Sequence, residues 1–131
     1  LLDINNSTYS YCTNDRQNSW ICFEFKKRKI RPSAYTIKST YNSKGMDHLK
    51  SWIIEGSVDG FSWKKLDEQK NCSLLNGENL VRTFPINVDV DDLEFDDENE
   101  FKFLRIKQTD KNWHNRHYLE ICAIDFFGKL I

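Results

Sequence analysis

The sequence lacks the features that mark membrane-spanning and nucleic-acid-binding chains. No apolar run approaches the roughly 20 residues that a transmembrane helix needs, so we predict no transmembrane segment. The formal net charge is −1. A chain without a large excess of positive charge has no general attraction for nucleic acid or for an acidic membrane surface. We therefore expect no nucleic-acid partner.

Cysteine is sparse, and its spacing forms no redox or metal motif. The four cysteines are Cys12, Cys22, Cys72 and Cys122, and no two of them form a Cys-x-x-Cys pair. Cys22 and Cys122 lie within strand-like runs, where a free thiol behaves as a small buried apolar group. The sequence therefore predicts four free thiols, although the even count leaves disulfide pairing open for a secreted protein.

Motifs of catalysis are also missing. None of the three histidines lies near a Gly-x-Ser-x-Gly elbow or a Gly-rich phosphate loop, so no nucleophile–base pair stands out. His114, His117 and Glu120 lack the His-Glu-x-x-His spacing that places two imidazoles on one helix face to hold zinc. We therefore predict that the chain is not an enzyme and that it uses no metal and no cofactor.

Short apolar runs with the periodicity of β-strands are what the sequence does contain. Residues 52–57 alternate between two faces at the strand period of two, with Trp52, Ile54 and Gly56 on one face. Asp59-Gly60 then supplies the positive φ angles that a tight hairpin turn needs. The predicted core strands are Trp20–Phe25, Tyr35–Ser39, Ser51–Gly56, Trp63–Leu66, Val81–Ile86, Phe101–Thr109 and Leu119–Phe127.

These runs predict an all-β fold, because no amphipathic helix of useful length accompanies them. Short antiparallel strands separated by turn residues are typical of an antiparallel β-sandwich or jelly roll, here with about eight strands. The last predicted strand, Leu119–Phe127, is apolar on both faces. We therefore expect it to occupy the centre of a sheet.

Three polar segments between the predicted strands carry aromatic and cationic side chains. Such side chains anchor many interfaces, and a rigid sandwich can hold them in place on its loops. Trp113 must either fold back onto the domain or contact a partner, because an exposed indole lowers solubility. The candidate ligand-binding residues are Tyr9, Tyr11, Arg16, Tyr41, Trp113, His114, Arg116 and His117.

Together, these segments resemble the coagulation factor 5/8 type C (discoidin-like) domain of the galactose-binding-like fold. The resemblance is carried by Trp20–Phe25, Leu49–Trp63, Arg105–Thr109 and Ile124–Gly128. It implies that ligands meet loops at one end of the sandwich, here Tyr9–Asn18, Thr40–His48 and Asp110–His117. The sequence is most similar to the intracellular branch, in which the domain accompanies BTB domains or ubiquitin-ligase parts and recognises proteins.

Two departures from the family pattern bear on location and metal binding. Secreted relatives usually carry a cysteine directly after the closing glycine, whereas Lys129 follows Gly128 here. The resemblance therefore favours an intracellular, cytoplasmic protein over a secreted one. Carbohydrate-binding relatives often hold calcium with an Asp-Gly-Asp-like turn and a Glu before the last strand. Here residues 3–5 are Asp-Ile-Asn and the Glu position is Ala123, so we expect no calcium.

We expect residues 1–131 to form one domain of this family, excised from a longer protein. The predicted function is a non-catalytic module that recognises a protein partner through loops at one end of a β-sandwich. The alternative is a module that binds a carbohydrate or a lipid headgroup, because aromatic rings and arginine suit all three ligand types. The identity of the ligand and the oligomeric state stay open.

Overall fold

The computed structural model describes residues 11–87 and 99–131, and in these ranges the regular secondary structure is β-strand. The strands found there are β1 (Tyr11–Cys12), β2 (Trp20–Glu24), β3 (Ile30–Lys38), β4 (Trp52–Ser57), β5 (Lys64–Gln69), β6 (Val81–Pro85), β7 (Phe103–Gln108), β8 (Glu120–Ile121) and β9 (Ala123–Leu130). Within the described ranges, no helix is long and apolar enough to cross a bilayer.

The strands form one four-stranded sheet, one three-stranded sheet and a small two-stranded sheet. Their orders are β2-β7-β4-β5, β6-β3-β9 and β1-β8. All of these pairs are antiparallel. The predicted all-β antiparallel architecture is therefore confirmed.

The core lies between the two larger sheets and follows from the alternation of their strands. Tyr35 and Ile37 of β3 lie on the inner face of one sheet, and Trp52, Ile54 and Ile106 lie on the inner face of the other. All five side chains are fully buried. Because successive side chains of a strand point to opposite faces, the residues between them remain available for the outer surfaces.

A short chain of hydrogen bonds satisfies the polar atoms of the two largest core aromatics. The indole N–H of Trp52 donates to the hydroxyl oxygen of Tyr35 at 2.9 Å. The Tyr35 hydroxyl donates in turn to Oδ2 of Asp67 at 2.5 Å. Burial, followed by the Asp67 carboxylate, raises the pKa of the Tyr35 hydroxyl far above its usual range. Tyr35 thus stays neutral and acts as a structural donor.

The prediction that the last strand is central is wrong. The predicted segment Leu119–Phe127 is divided into β8 and β9 by Cys122, whose N–H donates to the carbonyl of Lys38 at 2.9 Å. β9 is an edge strand of the order β6-β3-β9, and β3 is the central one. This break explains why the predicted segment is apolar on both faces. Leu119 and Ile121 are buried in the core, but they precede β9 and do not belong to it.

No disulfide bond joins Cys12, Cys22, Cys72 or Cys122 in the structure; Cys122 is buried and Cys12 is exposed. β3 is also longer than the predicted Tyr35–Ser39 and begins at Ile30. Its first half pairs with the end of β9 across a bulge between Pro32 and Ala34. Pro32 has no N–H to donate, so a bulge is a suitable place for it.

The polar loops leave the sheets at a common end of the sandwich. β4 begins at Trp52 beside Gln108, the last residue of β7. The segments 39–51, before β4, and 109–119, after β7, therefore adjoin at the same sheet end. The pairing of β1 with β8 adds Tyr11 and Cys12 to this region, and an isolated bridge joins His48 to Glu120. We call this region the loop end.

Candidate functional site

Asn112 organises the longest loop of the loop end. Its side chain is buried, and its Nδ2 donates to Oδ1 of Asp47 and to the carbonyl of Tyr118, both at 3.0 Å. Its Oδ1 accepts from the backbone N–H groups of His114 at 2.9 Å and Arg116 at 3.1 Å. One amide thus uses both of its functional groups to fold residues 112–118 around itself.

The turn inside this loop depends on a residue in the left-handed region. Asn115 has a φ of 58°, a conformation that asparagine tolerates better than most residues. Its N–H donates to the carbonyl of Asn112 at 3.0 Å, and the N–H of Asn112 donates to the carbonyl of Arg116 at 2.8 Å. The loop is therefore closed by its own backbone as well as by the Asn112 side chain.

Asp47 holds the guanidinium of Arg116 in one orientation. Nε of Arg116 donates to Oδ1 of Asp47 at 2.9 Å, and Nη2 donates to Oδ2. The carboxylate side chain is 9% exposed and the arginine side chain 43% exposed. Such a two-point contact fixes the plane of the guanidinium. Nη1 is without a hydrogen-bond partner among residues 11–87 and 99–131, and the guanidinium carbon lies 5.1 Å from the ring centre of Tyr118.

The charge state of this pair follows from its contacts. Burial acts to raise the pKa of Asp47, but the hydrogen bonds from Arg116 and Asn112 outweigh it and lower that pKa below its ordinary value. The hydrogen bond to Asp47 also raises the pKa of Arg116. His114 adds a third group, with Nδ1 at 3.7 Å from Oδ1 of Asp47. Asp47 is thus an ionised carboxylate that accepts hydrogen bonds from Arg116 and Asn112.

A second polar layer lies beneath this pair. The Nδ2 of Asn42 donates to Oε1 of Glu120 at 3.0 Å, and the ring Nε2 of buried His48 lies 2.7 Å from the carbonyl of Asn42. Burial, together with the nearby charge of Asp47, raises the pKa of Glu120. Burial, followed by the charges of Glu120 and Asp47, raises the pKa of the Cys12 thiol. This layer ties β1, β8 and residues 40–48 together.

Trp113 folds back onto the domain. Its indole N–H donates to the carbonyl of Cys72 at 3.2 Å, and its backbone N–H donates to the carbonyl of His48 at 3.1 Å. The side chain is half-buried, and the ammonium of Lys50 lies 4.6 Å from its ring centre. Trp113 therefore closes part of the loop end and leaves part of its ring at the surface.

Several of the predicted site residues meet at the loop end. Tyr41 is 74% exposed and precedes Asn42, whose side chain reaches Glu120. Tyr11 is exposed on the strand next to Glu120. His114 and Arg116 share Asp47, as described above. Tyr9 lies outside the described residues.

Two other predicted residues lie at the margin of the loop end. His117 contributes its backbone N–H, which donates to Oδ1 of Asp15 at 2.6 Å. Arg16 lies one residue beyond Asp15, in a separate groove that adjoins this margin. The candidate ligand-binding residues did not include Asp47, Asn112, Asn42 or Glu120, because the partners of these residues are as far as 78 positions away in the chain.

The arrangement is suited to binding. The carboxylate of Asp47 is occupied by Arg116 and Asn112, so it is not free to accept a proton from a substrate. In the described part of the chain, no group of three or more His, Cys, Asp or Glu side chains is placed to hold a metal ion. What the loop end offers is an oriented guanidinium, an imidazole and exposed tyrosine rings.

Comparison with models of known protein families gives no match for this chain. Among curated proteins, it is similar to the E3 ubiquitin-protein ligase Ufd4 of Drosophila melanogaster. The two are 27% identical over 120 residues, which cover 91% of this chain and 4% of that protein. The chain therefore spans a very small part of the relative it matches.

Solved structures with a similar fold include several carbohydrate-binding modules. The CpGH89CBM32-5 module of Clostridium perfringens, in complex with GalNAc-β-1,3-galactose, is 12% identical with a TM-score of 0.64, covering 92% of this chain and 76% of that one. The family 32 module of Streptococcus pneumoniae EndoD is 9% identical with a TM-score of 0.66, covering 95% and 80%. These likenesses confirm the predicted galactose-binding-like β-sandwich fold.

Proposed function

We propose that this domain is a non-catalytic carbohydrate-binding module whose site is the loop end. The observation that carries the proposal is the Arg116 guanidinium, which two hydrogen bonds fix to a nearly buried Asp47. His114 lies beside the same carboxylate, and the loop end also presents the exposed rings of Tyr11 and Tyr41. Because Asp47 also accepts from Asn112, the donor groups hold their positions before a ligand arrives.

The chemistry of these groups matches that of a sugar. A sugar ring presents hydroxyl groups, which accept hydrogen bonds from a planar guanidinium or an imidazole. It also presents a C–H face, which packs on an aromatic ring. Tyr41 and Tyr11 supply such rings at the loop end. Donors held in place lose little conformational freedom on binding, which favours affinity for a small ligand.

The structural comparisons supply chemically defined probes for the proposal. The similar Clostridium perfringens module was solved with GalNAc-β-1,3-galactose. A similar CBM32 of AlyQ, 12% identical with a TM-score of 0.61 over 90% of this chain and 76% of that one, was solved with 4,5-unsaturated mannuronic acid. A neutral and an acidic sugar are therefore both reasonable first ligands to test.

Titration calorimetry with N-acetylgalactosamine, GalNAc-β-1,3-galactose and 4,5-unsaturated mannuronic acid tests the proposal. We expect at least one of them to bind, and we expect Tyr41→Ala to weaken that binding by about tenfold, in the range of interface anchors. The matched control is Phe61→Ala. Phe61 is 88% exposed but lies in the β4–β5 hairpin at the opposite end of the sandwich.

Loss of affinity in Tyr41→Ala with an unchanged Phe61→Ala supports the loop end as the site. Equal effects of the two substitutions, or an absence of binding to every sugar in a broad glycan array, would contradict the proposal. Melting curves of both variants check that neither change alters folding. Because both side chains are exposed, we expect each substitution to change the free energy of unfolding by less than ~0.5 kcal/mol.

Recognition of a protein is the second candidate function, and the similarity to the ubiquitin ligase Ufd4 favours it. A module within an intracellular ubiquitin ligase would use the same oriented Arg116 to bind a carboxylate or a backbone carbonyl of its partner. Affinity capture from cytosolic lysate, with Tyr41→Ala as bait beside the unchanged domain, tests it. A protein that the unchanged domain retains and the variant loses, together with an empty glycan array, would favour this candidate.

A further inference from the structure

A polar groove lies beside the loop end, between β1 and the first residue of β2. Its volume is about 290 Å³, close to the lower end of the roughly 300–1,000 Å³ typical of small-ligand sites. The lining side chains that could contact a polar ligand are those of Asn14, Arg16, Gln17, Asn18 and Trp20. The groove thus combines three amides, one guanidinium and one indole.

The shape of the groove is set by the backbone, which leaves its amides and guanidinium available. The N–H of Arg16 donates to the carbonyl of Asn14 at 2.8 Å, and Oγ of Ser19 donates to the carbonyl of Arg16 at 2.7 Å. Asn18 occupies the left-handed region with a φ of 59°. In the described part of the chain, the side chains of Arg16 and the three amides have no protein hydrogen-bond partner. These groups can therefore serve a ligand without breaking contacts.

Trp20 forms an aromatic wall at one side of the groove. Its side chain is 52% exposed, although it belongs to β2 and pairs with Lys107 of β7. The guanidinium carbon of Arg105 lies 5.6 Å from its ring centre, and Arg105 itself donates to Oε1 of Glu55 at 2.8 Å. The indole is thus supported on the protein side by a paired cation, while much of its surface faces solvent.

The groove adjoins the loop end. Oδ1 of Asp15 accepts from the N–H of His117 at 2.6 Å, and Oγ1 of Thr13 accepts from the N–H of Leu119 at 3.0 Å. These bonds fasten the loop that forms the groove to the residues that directly follow Arg116. The loop that forms the groove therefore lies next to the residue after Arg116, so the groove is a neighbouring surface for a ligand that is longer than one sugar unit.

We propose that the groove binds the further units of an oligosaccharide whose first unit occupies the loop end, with Trp20 as the stacking surface and Arg16 as a hydrogen-bond donor. This inference rests on the proposed carbohydrate-binding function. The three amides supply donors and acceptors for hydroxyl groups, and the exposed indole supplies a flat apolar surface for a sugar C–H face. With a single cation in its lining, the groove suits a neutral polar chain better than a polyanion.

The test is the dependence of affinity on chain length. Calorimetry compares N-acetylgalactosamine, GalNAc-β-1,3-galactose and a tetrasaccharide that carries this disaccharide at its non-reducing end. We expect the tetrasaccharide to bind about tenfold or more tightly than the monosaccharide. We expect Trp20→Ala to weaken tetrasaccharide binding by about three- to tenfold, the loss typical of one aromatic contact. Its affinity for the monosaccharide should be unchanged.

Trp63→Ala is the matched control. The Trp63 ring centre lies 3.8 Å from the guanidinium carbon of Arg105, the same cation that contacts Trp20, but Trp63 does not line the groove. This variant should keep the full chain-length advantage. If the monosaccharide binds but the tetrasaccharide binds no better, or if Trp20→Ala keeps the advantage, the groove proposal fails and the loop-end function stands. If no sugar binds, both fail. A polar peptide that binds in a Trp20-dependent way while the tetrasaccharide does not would also overturn the groove proposal.

Discussion

Replacing Asn112 with alanine should destabilise the domain more than its place in a loop suggests. The side chain is 2% exposed and takes part in four hydrogen bonds. A typical intramolecular hydrogen bond contributes a net ~1 kcal/mol, and a buried group left without a partner costs more. Since water can reach part of this loop, we expect Asn112→Ala to lower the free energy of unfolding by about 2–4 kcal/mol.

Denaturant unfolding followed by tryptophan fluorescence measures this change. Asn14→Ala is the control, because Asn14 is exposed and its truncation should stay within ~0.5 kcal/mol. Asn112→Asp is a second variant, which keeps an acceptor for the N–H groups of His114 and Arg116 but places a carboxylate against Asp47. At neutral pH it should be at least as unstable as Asn112→Ala. A loss below ~0.5 kcal/mol for Asn112→Ala would refute the view that this amide organises the loop.

The remaining predictions concern the core, one close backbone contact and the buried acid. Tyr35→Phe leaves the Trp52 indole N–H without its acceptor, so thermal unfolding should show a loss of about 1–3 kcal/mol. Gly128→Ala should be destabilising by about 1–3 kcal/mol or more, because a Cβ there would lie 2.2 Å from the carbonyl oxygen of Arg31; a normal melting temperature would contradict this. The raised pKa of Glu120 means that the folded state holds its proton more tightly than the unfolded state. Stability should therefore fall as pH rises from about 4.3, the ordinary Glu value, through the folded-state pKa, and Glu120→Gln should lack this fall.

The strands were predictable because their information is local. The predicted Trp20–Phe25 and Val81–Ile86 end within one residue of the observed β2 and β6. Each has alternating side chains bounded by polar or turn residues, and burial on one face specifies that pattern. The order of strands is not local. The edge position of β9 follows from its pairing with β3, a strand far earlier in the chain, and from the lack of a second partner among the described strands.

Of the candidate site, the sequence predicted the exposed aromatic and cationic residues but not the buried polar residues that position them. Aromatic and cationic residues such as Tyr41 and Arg116 stand out in a polar segment, and the structure places both at the loop end. Asp47 and Asn112 do not stand out, since buried polar residues are recognised by their partners. Those partners lie 65 positions apart in the chain and meet after folding. Arg116 donates hydrogen bonds to Asp47 and is also partly exposed to solvent. The sequence cannot predict this combination, for the same reason.

Amide chemical-shift mapping by nuclear magnetic resonance tests the binding function at the loop end most directly. The ¹⁵N-labelled domain is titrated with GalNAc-β-1,3-galactose, and with any stronger glycan that an array identifies. We expect the shifts to concentrate in residues 40–48 and 112–118 and in the β1 region, with the β4–β5 hairpin around Phe61 unaffected. An absence of shifts at the loop end, or shifts centred on the hairpin instead, would contradict a carbohydrate site built on Arg116 and Asp47.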